Sequence, residues 1–158
     1  MAVAFPAPGG NTVPVIPLRT PGMITETIPM WTSQRTLVPL RDVLELFPPN
    51  NWRWTVEEFD GMFGRLPTDI TWATWARFQE MVATGAVVFD WNGIQQFADS
   101  VDQMIEGRIV ATDENDSTVV QLDAFDSSEY QIVIDPAWSG AAAVVSAVRS
   151  EMVPRQAP

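Results

Sequence analysis

Residues 52–91 decide how this chain folds, and their sequence is WRWTVEEFDGMFGRLPTDITWATWARFQEMVATGAVVFDW. Each aromatic ring in such a stretch can bury roughly 200 Å² of surface, so we expect this segment to supply much of the core. Buried rings account for folding but do not identify a function. The nine rings are those of Trp52, Trp54, Phe59, Phe63, Trp72, Trp75, Phe78, Phe89 and Trp91.

The first part of this stretch has the local pattern of a short helix. Thr55 and Glu58 have the spacing of a capping box, and Trp54 and Phe59 have the spacing of a hydrophobic staple. Gly64 is placed to end such a helix. The pattern therefore predicts a helix over residues 55–64.

A second helix and a strand are predicted for the rest of the stretch. Apolar side chains at helical spacing predict a helix over residues 70–84, closed by Gly85. The run AVVFDW at residues 86–91 predicts a strand that ends at Asn92-Gly93. The apolar stripe of the predicted helix is Trp72, Trp75, Phe78, Met81 and Val82.

Two short elements are predicted before this stretch. Residues 23–32 alternate loosely and predict a strand, and Pro29 places that strand at a sheet edge because proline cannot donate a ladder hydrogen bond. Residues 39–47 predict a short helix with Pro39 near its first turn.

The remainder of the chain predicts a helix followed by a β-meander. Residues 94–106 fit a helix face, although the odd positions from Val101 onward also fit a strand; we favour a helix to about Glu106. Three antiparallel strands with polar turns follow, and a last helix is predicted near the end. These strands are residues 108–112, 118–125 and 129–134, and the turns are 113–117 and 126–128. Pro136 is predicted to start the last helix, which includes residues 141–152.

The order of these elements predicts an α+β fold, in which a small helical part packs on an antiparallel β-meander. The predicted organisation is an extended Pro-rich arm (residues 1–22), a single α+β domain (23–153) and a C-terminal tail (154–158).

The arm, residues 1–22, holds five of the 13 prolines. Proline fixes φ and removes a backbone donor, so we expect an extended or polyproline II segment. Its apolar side chains are not typical of a solvated linker, and they predict that the arm binds a partner, either on an acidic surface or at a sheet edge. The alternative is a flexible terminus that binds no partner. The predicted partner-binding residues are Phe5, Val13, Val15, Ile16, Leu18 and Arg19.

Composition argues against several classes of function. The net charge is −11, with 20 acidic residues against 9 basic ones, all of them arginine. This balance disfavours binding to nucleic acid or to an anionic membrane. The chain has no cysteine and no histidine, so it lacks a thiolate nucleophile, the commonest general base and the commonest metal ligand. The arm has neither the basic n-region nor the apolar run of a signal peptide.

Candidate catalytic and metal-binding groups have simpler interpretations. Asp113, Asn115 and Ser117 have the one-three-five spacing of a calcium loop, but the glycine and glutamate of an EF-hand are missing at Thr118 and Ala124, so a hairpin turn is favoured. Acidic residues could form a glycosidase pair, yet such residues are expected at helix starts and on solvated faces. We therefore predict no catalytic residue, no metal, no cofactor and no small-molecule substrate. The acidic candidates are Glu57, Glu58, Asp60, Asp90 and Asp99.

The tryptophans divide into two predicted groups. Trp54, Trp72 and Trp75 occur at regular spacing and are predicted to be core residues. Three others lie in less regular contexts and are predicted as possible exposed contacts, for a protein partner or for sugar rings. These three are Trp31, Trp52 and Trp138.

Taken as a set, these features resemble the minor structural proteins of tailed bacteriophage particles. The chain is a small acidic domain with a Pro-rich arm and no evident active site. The lack of lysine, beside abundant alanine, valine, arginine and tryptophan, looks like coding in a GC-rich genome, as in phages of actinobacteria. The resemblance is one of composition over the whole chain and involves no signature residue.

The resemblance implies a virion component, made in the host cytoplasm and assembled with other virion subunits, including copies of itself. Our leading hypothesis is a non-enzymatic minor tail protein that is held in the assembly by its arm. The alternatives are a capsid accessory or decoration protein, a Trp-based carbohydrate-binding module, and an intracellular regulator that binds a basic partner.

Overall fold

The computed structural model describes residues 22–64, 75–85 and 87–152, which form a six-stranded antiparallel sheet in the order β1-β6-β5-β4-β2-β3. The predicted α+β class is confirmed. The strands are β1 (Ile24–Pro29), β2 (Arg53–Phe63), β3 (Val87–Phe89), β4 (Val101–Thr112), β5 (Thr118–Phe125) and β6 (Glu129–Ile134). The helices are α1 (Leu40–Leu44), α2 (Trp75–Gly85), α3 (Trp91–Ser100) and α4 (Ala141–Ala147), and a π-helical turn (Val148–Met152) continues α4.

The C-terminal meander and the edge strand follow the sequence pattern. Strands β4, β5 and β6 are joined by the two predicted polar turns and pair as antiparallel neighbours. Strand β1 lies at the edge of the sheet, paired with β6 from Ile24 opposite Ile134 to Pro29 opposite Glu129. The edge position that Pro29 predicted is therefore confirmed.

The predicted helix over residues 55–64 is wrong, because this segment is strand β2. It pairs with β4 along its whole length and with β3 at its start. Trp54 and Val56 point into the core, and after a register shift between Val56 and Glu58 the inward position moves to Phe59. That shift interrupts the alternation of buried and exposed residues that is typical of a strand. It leaves Trp54 and Phe59 five positions apart, which is the spacing of a hydrophobic staple at a helix start.

Two glycines are required where β2 and β4 approach each other. A Cβ atom on Gly61 would meet the backbone carbonyl of Gln103, and one on Gly107 would lie 2.7 Å from the carbonyl of Glu58. A register shift occurs between Asp60 and Gly61. Glycine therefore permits a close backbone contact here that any larger residue would prevent.

Both ends of helix α3 differ from the prediction. Asn92-Gly93 does not end a strand; both residues lie in the first turn of α3, where the Asp90 carboxylate accepts a 2.7 Å hydrogen bond from the Gly93 N–H. The helix ends at Ser100 instead of Glu106. Residues from Val101 onward become strand because Val101 pairs with Phe63 of β2.

The remaining helices differ from the prediction mainly at their ends, and α4 begins at Ala141 instead of Pro136 because residues 136–140 form turns. Helix α1 begins directly after Pro39 and buries Leu40, Val43 and Leu44. Helix α2 is described from Trp75, and Phe78 of its predicted stripe is fully buried with its ring 5.5 Å from that of Phe59. The predicted start of this helix, residues 70–74, lies outside the described residues.

The core lies on the face of the sheet that packs against the helices α1, α2, α3 and α4. Its largest buried side chains include Trp54, Phe78, Phe97 and Tyr130. The Tyr130 hydroxyl donates a 2.9 Å hydrogen bond to the Val38 carbonyl, which ties β6 to the segment before α1. Burial raises the pKa of Tyr130, and the negative charge of Asp42 raises it further.

We predict that alkaline pH destabilises the fold through Tyr130. The raised pKa favours the neutral phenol in the folded state, so its contribution is fully present below the unfolded pKa of about 10 and is lost as pH rises above it. Tyr130 is the chain's single tyrosine, and the sequence has no lysine and no cysteine. No other side chain therefore has an ordinary pKa of about 8.5–11.

The measurement is urea unfolding from about pH 8 to about pH 11, a range set by the ordinary pKa of tyrosine. Tyr130→Phe is expected to lose about 1 kcal/mol of unfolding free energy at neutral pH, because the hydrogen bond to Val38 is lost. It should also show a shallower alkaline decline than the natural chain. An equal decline in both proteins would contradict the prediction.

Candidate partner-binding surfaces

The predicted binding residues of the arm lie outside the described residues. The described chain starts at Gly22, whose φ of +95° is in the left-handed region, and enters β1 at Ile24. The arm is therefore joined to the body at the sheet edge. The residues concerned are Phe5, Val13, Val15, Ile16, Leu18 and Arg19; the predicted tail, residues 154–158, also lies outside the described part.

Strand β1 presents one side to β6 and the other side to the edge of the sheet. In an edge strand, alternate residues direct their N–H and C=O groups away from the neighbouring strand, where an added strand can pair with them. The opposite edge strand, β3, has three residues, whereas β1 has six. Of the two edges, β1 offers the longer template.

A groove runs between β1 and α4, and we call it the edge groove. Ile24 forms the sheet side of the groove, and the outward face of α4 with the π-helical turn forms the other side. Arg149 closes over β1 by donating hydrogen bonds of 3.0 Å and 2.7 Å to the Glu26 carboxylate. The groove is lined by Ile24, Ala142, Val145, Ser146, Arg149 and Ser150.

The edge groove was not predicted from the sequence, although helix α4 carries a signal for it. Helix α4 has small or apolar residues on two faces: Ala141 and Val144 are buried, whereas Ala142 and Ser146 are exposed. A helix with a polar outer face would present charged residues at the second set of positions. Only the tertiary structure shows that this second face lies beside the edge strand.

Trp52 is wrongly predicted as an exposed contact, because it is a core residue with 7% of its surface exposed. Its ring lies 4.8 Å from that of Trp138 in an edge-to-face arrangement. Trp138 is partly buried and lies 6.2 Å from Phe47. Asn50 supports this cluster, since its side-chain oxygen accepts hydrogen bonds from the Trp52 N–H and from the indole of Trp54.

Of the other tryptophans, Trp54 is fully buried, so its predicted core position is confirmed. The predicted core positions of Trp72 and of the Trp75 side chain lie outside what the structure describes.

Trp31 remains exposed, with 42% of its surface accessible, but its indole also has a structural contact. The Nε1–H group donates a 2.8 Å hydrogen bond to the Ser127 carbonyl in the turn between β5 and β6. Asp126 and Ser127 in this turn both have positive φ, at 46° and 58°, and the Ser128 N–H bonds the Phe125 carbonyl. The turn is a strained type I′ turn that contains no glycine.

The strained turn is held from a neighbouring strand as well. The Asp126 N–H donates to the Glu106 carboxylate at 2.8 Å, and the Ser127 N–H donates to the Ile105 carbonyl at 2.9 Å. Phe125 at the end of β5 is 39% exposed beside this turn and was not predicted as a contact. The alternation of β5 could have indicated it, because Phe125 falls on the face opposite Leu122 and Ala124.

On the sheet face opposite the core, an ion pair satisfies a buried carboxylate. The Asp123 carboxylate is 5% exposed and accepts hydrogen bonds of 2.7 Å from Arg108 Nε and 2.8 Å from Gln121 Nε2. The hydrogen bond to Asp123 raises the pKa of Arg108; burial opposes this effect, and the charges of Glu58 and Glu57 add to it. With both oxygens occupied, Asp123 has the environment of a structural ion pair.

Two of the candidate acidic residues have local structural roles, Asp90 as the cap of α3 and Asp113 in the turn between β4 and β5. Asp113 accepts the N–H groups of Asn115 and Ser117 at 2.8 Å and 3.0 Å, so the hairpin turn predicted at residues 113–117 is confirmed. Within residues 22–64, 75–85 and 87–152, no three His, Cys, Asp or Glu side chains gather into a metal-binding group.

The helices in the described part of the chain are all too short or too polar to cross a membrane. No protein-family model matches the chain, and neither a curated protein nor a solved structure matches it.

We predict that Trp52 and Trp31 differ sharply in their contribution to stability. Trp52→Ala opens a cavity in the core and should cost about 3–5 kcal/mol of unfolding free energy. Trp31→Ala removes an exposed ring and one hydrogen bond, and should cost about 1 kcal/mol. Chemical denaturation of both variants measures the difference, and similar losses would contradict the burial described here.

A second prediction concerns the strained turn. Ser127→Gly should raise the unfolding free energy by about 0.5–1 kcal/mol, because glycine adopts positive φ without steric cost but is more flexible when unfolded. The matched control is Ser128→Gly at the next position, where φ is not positive, and this change should destabilise the fold by roughly 0.5–1 kcal/mol. If urea unfolding shows the same sign for both variants, the turn is not strained at Ser127.

Proposed function

We propose that this protein is a non-enzymatic structural protein of a tailed-phage particle, a minor tail protein that is held in the assembly by its N-terminal arm. The observation that carries the proposal is the attachment of the arm at Gly22, directly before the edge strand β1. An extended segment that leaves a rigid sheet at its edge is well placed to reach a neighbouring subunit. The resemblance in composition supports the choice of a virion.

The charge distribution favours such a contact. Residues 1–22 contain Arg19 and no acidic residue, so they carry +1, and since the whole chain carries −11 the remaining residues carry −12. A weakly basic apolar segment is therefore attracted to the body of another copy. The prolines restrict the unbound arm, which reduces the entropy that is lost when it docks.

The body supplies a stiff support for this tether. Strands β4, β5 and β6 form a continuous antiparallel meander, and β2 extends it on the far side. A packed core of aromatic and aliphatic side chains covers one face of this sheet. A capsid accessory or decoration protein would use the same arm and body, and differs only in its location in the particle.

A Trp-based carbohydrate-binding module is the second candidate. The observation that favours it is the exposed ring of Trp31, which is hydrogen-bonded to the turn that follows exposed Phe125, since sugar rings stack on exposed aromatic side chains. Trp52 is not available for such stacking because it is buried. Glycan-array binding that Trp31→Phe leaves unchanged and Trp31→Ala abolishes would favour this alternative.

We predict that the arm is required for incorporation into particles. Tailed particles purified from cells that carry the gene should contain the chain, as detected by mass spectrometry. A chain that lacks residues 1–21 should be absent from particles, because it has lost the tether, while its body unfolds at the same urea concentration as the full chain. The matched control lacks residues 153–158 and should be incorporated normally.

Two results would overturn this proposal. If the full chain does not copurify with particles, it is not a virion protein. If the chain without residues 1–21 is incorporated as well as the full chain, the arm is not the tether.

A further inference from the structure

The edge groove combines the two features that an extended peptide needs for binding. Strand β1 provides backbone donors and acceptors along one side, and α4 provides a small, apolar surface along the other. Ala142 and Ser146 are exposed and short, so they leave space for the side chains of a bound strand. A partner that fits is an extended segment with apolar side chains and free N–H groups at alternate positions.

The π-helical turn fixes the width of the groove. Arg149 extends from this turn to Glu26 on β1 through two hydrogen bonds, and Val148 is buried beneath it. Glu26 lies on the core-facing side of β1 with 15% of its side chain exposed. The pair therefore holds the helix beside the edge strand at one end of the groove.

We infer that the edge groove binds residues 15–19 of the arm of a second copy of this chain. The inference rests on the proposed function, in which the arm contacts a neighbouring subunit. The sequence of this segment is VIPLR, and it lies in the stretch of 21 residues that precedes the described chain. The segment is apolar, it has no acidic residue, and it is joined to the body at the same edge where the groove lies.

The alternation of this segment suits an edge position. In an added strand that runs parallel to β1, Ile16 and Leu18 direct their N–H groups toward β1 and their side chains to the face that carries Ile24 and Glu26, whereas Pro17 directs its ring nitrogen the opposite way. Pairing of Ile16 and Leu18 with β1 therefore leaves Pro17 facing solvent, the orientation that proline needs in a strand. A solvent-facing proline also prevents a further strand from adding.

The chain's own arm is less suited to this groove than the arm of another copy. To reach its own β1, the arm would have to reverse direction at Pro21-Gly22. A proline followed by a glycine at positive φ is the sequence of a type II turn, and a two-residue type II loop splays the strands that it joins. An arm that continues to the next copy avoids this reversal.

The resulting contact is heterologous, because the arm of one copy binds the groove of the next. Repetition of such a contact generates a closed ring or an open helical array. Both arrangements are consistent with a subunit of a phage particle. The short edge strand β3 would stay outside the contact, so each copy has one donor and one acceptor site.

Disulfide trapping tests this contact directly, because the natural chain has no cysteine. Two full-length double variants combine Ala142→Cys in the groove with either Ile16→Cys or Leu18→Cys in the arm. The matched controls carry Ala143→Cys in place of Ala142→Cys; both alanines are exposed on α4, and Ala142 alone of the two lines the groove. After mild oxidation, non-reducing electrophoresis separates linked oligomers from monomers.

We expect at least one Ala142→Cys variant to give about tenfold more disulfide-linked oligomer than its control, because a disulfide requires Cα atoms within about 7 Å. A disulfide that closes within one chain, seen as a monomer of altered mobility, would overturn the assignment to a second copy. Equal linking by the Ala142→Cys variants and their controls would overturn the assignment to the groove.

This experiment separates the inference from the proposed function. If trapping fails but loss of residues 1–21 still excludes the chain from particles, the arm is a tether that docks elsewhere. If trapping succeeds but loss of residues 1–21 leaves incorporation unchanged, the groove contact stands and the proposed role of the arm falls.

Discussion

The pairing of β2 with β4 is the constraint on which the rest of this structure depends. The two strands pair from Arg53 opposite Thr112 to Phe63 opposite Val101, which joins segments about 40–60 positions apart in the sequence. Trp54 faces the core, and the register shift after Val56 turns Phe59 to the same face, where it contacts the rings of Phe78 and Phe97. Because α2 and α3 pack on these rings, their positions follow from the strand pairing.

The aromatic cluster at the start of β2 connects the sheet to helix α4 near the C-terminus. Trp138, which precedes α4, packs edge-to-face on Trp52 and contacts Phe47 after α1. These contacts position α4 over the sheet, and the pair of Arg149 and Glu26 then fixes the end of that helix against β1. The groove at the sheet edge is thus a consequence of core packing, although its outer wall is exposed.

The two edges of the sheet are unequal, and this difference makes the proposed assembly polar. Strand β1 is six residues long, follows the arm and lies beside a groove, whereas β3 has three residues. An assembly built from one arm and one receiving edge per subunit has a head and a tail. Such polarity is suited to a component that is added in sequence to a growing particle.

The sequence by itself determined the elements whose signals are local. The polar turns of the meander, the edge position implied by Pro29 and the short helix after Pro39 were predicted because a few adjacent residues specify each of them. The apolar, proline-rich composition of residues 1–22 is also a local signal, and the partner binding that it predicts stays a prediction. Tertiary structure determined the secondary structure of two segments that have helix-like spacing but form strands. These segments are residues 55–63 and 101–106.

The physical reason is that their backbone hydrogen bonds are made with each other across a long separation in sequence, and bulges obscure the period of two that would have revealed them. Tertiary structure alone also buried Trp52, and it placed Ala142 and Ser146 beside β1, since the exposure of a side chain depends on distant neighbours that local patterns do not specify.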